Sequence, residues 1–151
     1  MPKRKVSSIL VGVAGEYYVA AELSNLGYIA SITLRNTKSI DIIATNERGS
    51  KTVNIQVKTK SPGKKKWILS EKNERIRDKN IFYVFVSLKE GKERPDYHIV
   101  PSARIATAVK KGHKEWLKKP GKQGQKHRDS NMRKWSDEKG KYLEQWELLG
   151  L

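Results

Sequence analysis

Between Ile40 and Thr59 the chain reads IDIIATNERGSKTVNIQVKT, two runs rich in Ile and Val around the turn-forming segment Asn46-Glu47-Arg48-Gly49-Ser50. Paired β-branched runs about a short, polar, glycine-containing link predict a tight antiparallel hairpin. In the second run Val53, Ile55 and Val57 alternate with Asn54, Gln56 and Lys58, so the strand has one apolar and one polar face. A turn centred between Arg48 and Gly49 sets Ile42 across from Ile55 and Asp41 across from Gln56. Asp41, Gln56 and Lys58 then share a face, with carboxylate and amide roughly 5 Å apart at Cβ and the ammonium about 7 Å farther along. Taken alone, a lysine beside a carboxylate on a hairpin reads more simply as a common surface ion pair.

The remaining elements follow from the same patterning. Ser7 or Ser8 caps a predicted helix that runs to about Leu26, with Gly27 as its stop. Projected at ~100° per residue, Ile9, Val13, Ala20 and Leu23 fall within about 60° of Glu16, which places this carboxylate on the apolar face. A carboxylate aimed at a core is costly unless a partner or a metal ion receives it. Gly12 lies one turn earlier on nearly the same face and would admit a close neighbour, whereas Glu22 falls some 120° away and reads as solvated. Tyr28 to Leu34 is expected as a strand, Arg35 to Ser39 as a polar connection, and Trp67 to Leu69 as a short strand after the basic turn Ser61 to Lys66. Ser70 to Asp78 is charged and reads as a short helix. The run Ile81 to Leu88, IFYVFVSL, predicts a strand buried on both faces. A further strand, Tyr97 to Val100, closes at Pro101, and Ser102 is expected to cap a helix over Ala103 to Val109. From Lys110 to Lys141 there are 12 Lys or Arg against 4 Asp or Glu, interrupted by Pro120, Gly121 and Gly124, a loop-rich basic element of the kind that orders on binding. Tyr142 to Leu149 suits a short closing helix packed on the core.

Composition narrows the partners. A chain of 151 residues has the size of one ordinary domain with a real core. The absence of cysteine rules out disulfides, thiolate metal sites and a cysteine nucleophile. No apolar stretch approaches the ~18 residues of a membrane span, and the basic start MPKRKVSSILVG lacks a cleavage pattern, so a soluble, cytoplasmic protein is expected. Lys and Arg number 32 against 16 Asp and Glu, a net charge of +16, which favours a polyanionic partner through counterion release. Nucleic acid leads; an anionic membrane surface has no long amphipathic helix to support it.

The order of helix with inward Glu, strand, and hairpin bearing Asp then Gln-x-Lys resembles the PD-(D/E)XK nuclease superfamily, which includes archaeal Holliday junction resolvases. The residues that carry the resemblance are Gly15-Glu16, Ser39-Ile40-Asp41 and Gln56-Val57-Lys58-Thr59, within about residues 7 to 100. It implies an α/β restriction-endonuclease-like core, a central mixed β-sheet flanked by helices. By the same resemblance Asp41 is the metal-binding aspartate, Gln56 stands at the acid of the (D/E)XK pair, Lys58 is the catalytic lysine and Glu16 is the first-helix glutamate of resolvase-like members. Two departures stand out: Ile40 takes the place of the proline, and Gln56 removes one negative charge from the site.

The chemistry of phosphodiester hydrolysis wants these residue types. A hard divalent cation held by oxygens supplies a nucleophilic water and neutralises phosphate charge. Glu16 and Asp41 would be anionic ligands of Mg²⁺ or Mn²⁺, with the Gln56 amide oxygen and the Val57 carbonyl as neutral ones. Lys58 would orient or help deprotonate the water. The implied function is a metal-dependent DNA endonuclease, resolvase-like or related to restriction or repair. A non-catalytic nucleic-acid-binding module that keeps the fold is the alternative, and an RNA-associated basic protein is a third. Superfamily members often act as dimers, which raises a homodimer as an expectation.

For backbone contact the candidates are Lys60, Lys64, Lys65 and Lys66 beside the site, and Lys118, Lys119, Lys122, Lys126, Arg128, Arg133 and Lys134 in the basic element. His98, His113 and His127 lack metal-ligand spacing; His98 reads as a hydrogen-bonded histidine, and His127-Arg128 as a phosphate contact or a solvated loop. Of the tryptophans, Trp67 and Trp146 look like core, and Trp135, between basic neighbours, is the candidate for stacking on a base.

Overall fold

The computed structural model describes residues 4–34 and 39–151. Helix α1 spans Ser8–Asn25 and is capped as expected: the Ser7 hydroxyl accepts from the Leu10 N–H at 3.3 Å. It ends where Gly27 turns left-handed (φ +89°) and the Tyr28 N–H returns to the Leu23 carbonyl. The buried stripe of α1 is Val11, Gly15, Val19 and Leu23, an i, i+4 ladder. That stripe lies about 100° from the expected one. Glu16 is therefore half-buried on its shoulder, not aimed into the core, and Ile9 is 67% exposed. The reason is Gly15, whose missing Cβ lets the helix sit on Thr59 of the sheet; a side chain there would overlap the Thr59 hydroxyl. Gly12, the expected point of close approach, has nothing within 4 Å. Glu22, expected as solvated, is half-buried and pairs with Arg94 at 2.6 Å.

Strand β1 (Ile29–Ile32) is followed by β2 (Ile42–Thr45) and β3 (Thr52–Lys60), an antiparallel meander. Of the polar connection expected over Arg35 to Ser39, only Ser39 lies within the described residues. The hairpin forms in the predicted register, Ile42 opposite Ile55, and the Asp41 N–H donating to the Ile55 carbonyl carries the pairing one step further. Strand β4 (Trp67–Ser70) and a 3₁₀ turn (Glu71–Arg75) precede β5 (Ile81–Ser87), which runs parallel to β3 and carries β6 (Asp96–Pro101) antiparallel on its other side. The five-stranded sheet thus has the order β1-β2-β3-β5-β6.

Strand β5 is buried on both faces, as its unbroken apolar run required, because each face has its own cover. Phe82, Val84 and Val86 join Val53, Ile55 and Val57 of β3 against Val19 and Leu23 of α1. The alternate residues Tyr83 and Phe85 pack with Trp67, Leu69 and Val100, and with Ile105 and Val109 of helix α2 (Ser102–Lys118).

Beyond β6 the structure corrects the sequence reading. Helix α2 runs to Lys118, well past Val109, and its cap is Pro101; the Ser102 hydroxyl instead donates to the Asp78 carbonyl at 2.6 Å. Within the segment expected to be loop-rich, strand β7 (Met132–Trp135) pairs with β4, Trp67 opposite Trp135. Trp135 contacts Trp67 and Phe85 in the second core, so it is not a free stacking platform. The closing segment is a short 3₁₀ turn, Trp146–Leu149, with Trp146 buried; Trp67 is buried as well.

Candidate active site

Asp41 sits at the open end of β2, and its backbone is pinned twice, its N–H to the Ile55 carbonyl and its carbonyl to the Thr33 N–H, both at 2.9 Å. One carboxylate oxygen, Oδ2, accepts from the Val57 N–H at 2.7 Å. The hairpin register that sequence alternation dictates is what aims this carboxylate at β3. Burial pushes the Asp41 carboxyl up from its ordinary value, and the Val57 N–H and the charges of Lys58 and Lys72 offset this only in part. Lys58 moves the other way: burial lowers its ammonium, Asp41 opposes the shift and Lys72 adds to it.

Glu16 and Asp41 line one cleft of about 290 Å³, together with Ser8, Ile9, Gly12, Val13, Thr33 and Leu34. Gly12 leaves this wall open. Helix α1 lies on the Ile55 and Val57 face of β3, while Gln56 and Lys58 stand level with Tyr83 and Phe85 of the other face. Asp41 is the group common to both sides, sharing the cleft with Glu16 and coupling in charge to Lys58.

Gln56 is 5% exposed, and its Oε1 accepts from Asn73 Nδ2 at 3.3 Å, while the same Nδ2 donates to the Tyr83 hydroxyl at 2.7 Å. Val57 contributes its N–H to Asp41. Asn73 and Lys72, both on the 3₁₀ turn after β4, were missed in the sequence. The signal was a charged stretch, Ser70 to Asp78, and only the fold shows that this turn comes back over β3.

Two carboxylates on one cleft suit a hard cation such as Mg²⁺, which needs few protein ligands and keeps several waters. Among the described residues no group of three or more His, Asp or Glu converges on a metal position. The Gln56 oxygen is turned to Asn73 Nδ2, and the carboxylates that line the cleft are Glu16 and Asp41.

The basic candidates divide. Lys64, Lys65, Lys66, Lys118, Lys119, Lys122, Lys126, Arg128 and Lys134 are exposed. Lys60 lies with its Nζ 3.9 Å from the Trp67 ring centre and donates to the Lys65 carbonyl, which ties the basic turn to the core. Arg133 stands apart from them: it is 6% exposed and bonded to Glu74 at 2.7 Å and to the Ser130 and Met132 carbonyls, which holds its guanidinium within the protein. His98 is buried with Nδ1 2.8 Å from Asp137, as read from sequence. His127 stacks on Trp116 with ring centres 4.0 Å apart and bonds the Trp116 carbonyl, which fastens the loop after α2 to the helix.

No family model and no curated protein matches the chain. Among solved structures, that of the bacterial homing endonuclease I-Ssp6803I covers 97% of this chain and 94% of its own at 16% identity, with a TM-score of 0.57. This chain has a restriction-endonuclease-like fold. The structure of Archaeoglobus fulgidus Hjc, a Holliday junction resolvase from an archaeal hyperthermophile, matches over 83% of this chain and 84% of its own at 17% identity, with a TM-score of 0.47. At 16% identity the likeness to the homing endonuclease is one of fold. The restriction-endonuclease-like core here is the mixed sheet with α1 on one face and α2 on the other, and the hairpin that bears Asp41 and Gln56-Val57-Lys58 forms its middle.

Proposed function

We propose that this protein is a metal-dependent DNA endonuclease that hydrolyses phosphodiester bonds at the cleft between α1 and the start of β2. The observation that carries the reading is the convergence of Glu16 and Asp41 on one cleft, with the Lys58 ammonium coupled to Asp41. Glu16 and Asp41 would hold Mg²⁺ or Mn²⁺. A divalent cation bound there supplies a nucleophilic water at neutral pH and neutralises charge on the phosphate. Asp41 is held for this by the Val57 N–H, which donates to Oδ2; among the described residues Oδ1 has no hydrogen-bond donor. Lys58, its ammonium destabilised by burial, orients the attacking water and balances charge as the phosphate oxygens become more negative. Lys64, Lys65 and Lys66, and the exposed cations after α2, grip the backbone without reading sequence.

The test is a nicking and cleavage assay on supercoiled and branched DNA in Mg²⁺, Mn²⁺ and EDTA. Product is expected only with metal, and Asp41→Ala and Lys58→Ala each lower the rate by at least about 10²-fold while duplex binding persists. Product from either variant at the wild-type rate defeats the proposal. One feature favours a second reading, a binding module without turnover: Gln56 stands where the motif has an acid, and its oxygen is tied to Asn73. That reading expects salt-sensitive binding indifferent to EDTA, and no product in any metal.

A further inference from the structure

Gln56 has one accepting and one donating end, and its neighbours decide which is spent. The backbone N–H of Ser70 can only donate, and it donates to Asn73 Oδ1 at 2.9 Å. Asn73 must therefore turn its Nδ2 the other way, where it donates to the Tyr83 hydroxyl and to Gln56 Oε1. Asn73 is 0% exposed, so an inverted amide would leave buried polar groups facing like groups. With Oε1 turned to Asn73, the opposite end of Gln56 is Nε2. Among the described residues nothing is seen to accept from it, and the hairpin register sets Gln56 directly across from Asp41.

We propose that Asn73 is a positioning residue that turns the Gln56 N–H₂, and not its oxygen, toward the substrate, so that Gln56 donates to a phosphate oxygen and does not ligate the metal. This rests on the endonuclease reading above. An amide nitrogen has no lone pair to offer a hard cation, whereas its N–H makes a charge-assisted bond to a phosphate oxygen. At the position where the motif carries an acid, this chain thus exchanges a ligand for a donor. Holding the metal would then fall to Glu16 and Asp41, which line the cleft.

Two titrations of the full chain test this: Mn²⁺ binding without DNA, followed by electron paramagnetic resonance, and duplex binding in EDTA, followed by fluorescence anisotropy. Gln56→Leu removes both ends of the amide at similar volume. Its Mn²⁺ affinity is expected to stay within about twofold of wild type, and its duplex affinity to fall roughly tenfold, as for loss of a hydrogen bond to a charged group. Asn73→Asp puts an acceptor where the donor stood, so the Gln56 amide must reverse; Mn²⁺ then binds more tightly and the duplex more weakly, a pairing that mere loosening of the fold would not produce. If that variant does not fold, Gln56→Leu still decides. A loss of Mn²⁺ affinity beyond twofold in Gln56→Leu, or an unchanged duplex affinity, overturns the proposal. Failure of the endonuclease reading looks different: a wild-type chain that never yields product in Mg²⁺ or Mn²⁺, whatever the two titrations give.

Discussion

Asp41 and Lys58 show how a reactive pair strains the fold that holds it. A carboxyl with a raised folded pKa binds its proton more tightly in the fold than in the unfolded chain. The stability it contributes is complete below the ordinary carboxylate value and is lost as pH rises through the folded value. At pH 7 the charged Asp41 is thus a net cost, set by burial that its neighbours do not fully offset. Asp41→Asn keeps an oxygen for the Val57 N–H and removes the charge, so its thermal midpoint at pH 7 is expected above that of wild type while cleavage is lost. A midpoint below wild type in differential scanning calorimetry contradicts this. Lys58 has the opposite sign: its folded pKa is depressed, so its contribution is present above the ordinary lysine value and is lost as pH falls through the folded one. Lys58→Met is accordingly expected to raise the midpoint at pH 7 as well. That charge coupling can be read only from the folded pair, although both residues stood out in the sequence.

At the scale of elements, α1 decides where Glu16 ends up, and two glycines separate its packing from its propensity. Gly15→Ala gains up to ~1 kcal/mol of helix propensity but drives a methyl into Thr59, whose hydroxyl, Cβ and Cγ2 all crowd the position. Overpacking of this kind costs about 1–3 kcal/mol, so urea denaturation is expected to show a net loss, together with weaker metal binding as the helix lifts Glu16 away from Asp41. Gly12→Ala meets nothing within 4 Å and is expected to stabilise by up to ~1 kcal/mol. Equal effects of the two substitutions would show that the helix does not rest on Thr59. The helix ends and the hairpin register were legible because they depend on local chemistry: a serine cap, a left-handed glycine and a period of two. The direction of α1 was not, since its apolar residues spread widely around it, and Ile9 and Val13 looked as good a core as Val11 and Val19.

For the molecule as a whole, charge is segregated. From Val6 to Leu34 there is no Lys or Arg, although the chain holds 32, so α1 and β1 contribute no cation of their own. Exposed Lys64, Lys65 and Lys66 and buried Arg133 then behave differently when removed. The triple change of these lysines to alanine is expected to weaken duplex binding across sequences and to reduce the slope of log affinity against log salt by up to about 3, with little effect on stability. Arg133→Ala leaves Glu74 half of a buried pair and is expected to cost about 3 kcal/mol in chemical denaturation with the salt slope unchanged. A drop in salt slope for Arg133→Ala would put its guanidinium on the DNA after all.

Sequence alone determined the hairpin and its register, the doubly buried β5, the capped first helix and the basic excess, because each depends on residues close in the chain or on composition. Tertiary structure alone decided which face of α1 is buried, that β7 returns to β4 and takes Arg133 and Trp135 inside, and that Asn73 reaches Gln56. Those outcomes turn on contacts between segments 17 to 68 residues apart, whose closure depends on shape and on hydrogen-bond matching that no local pattern encodes.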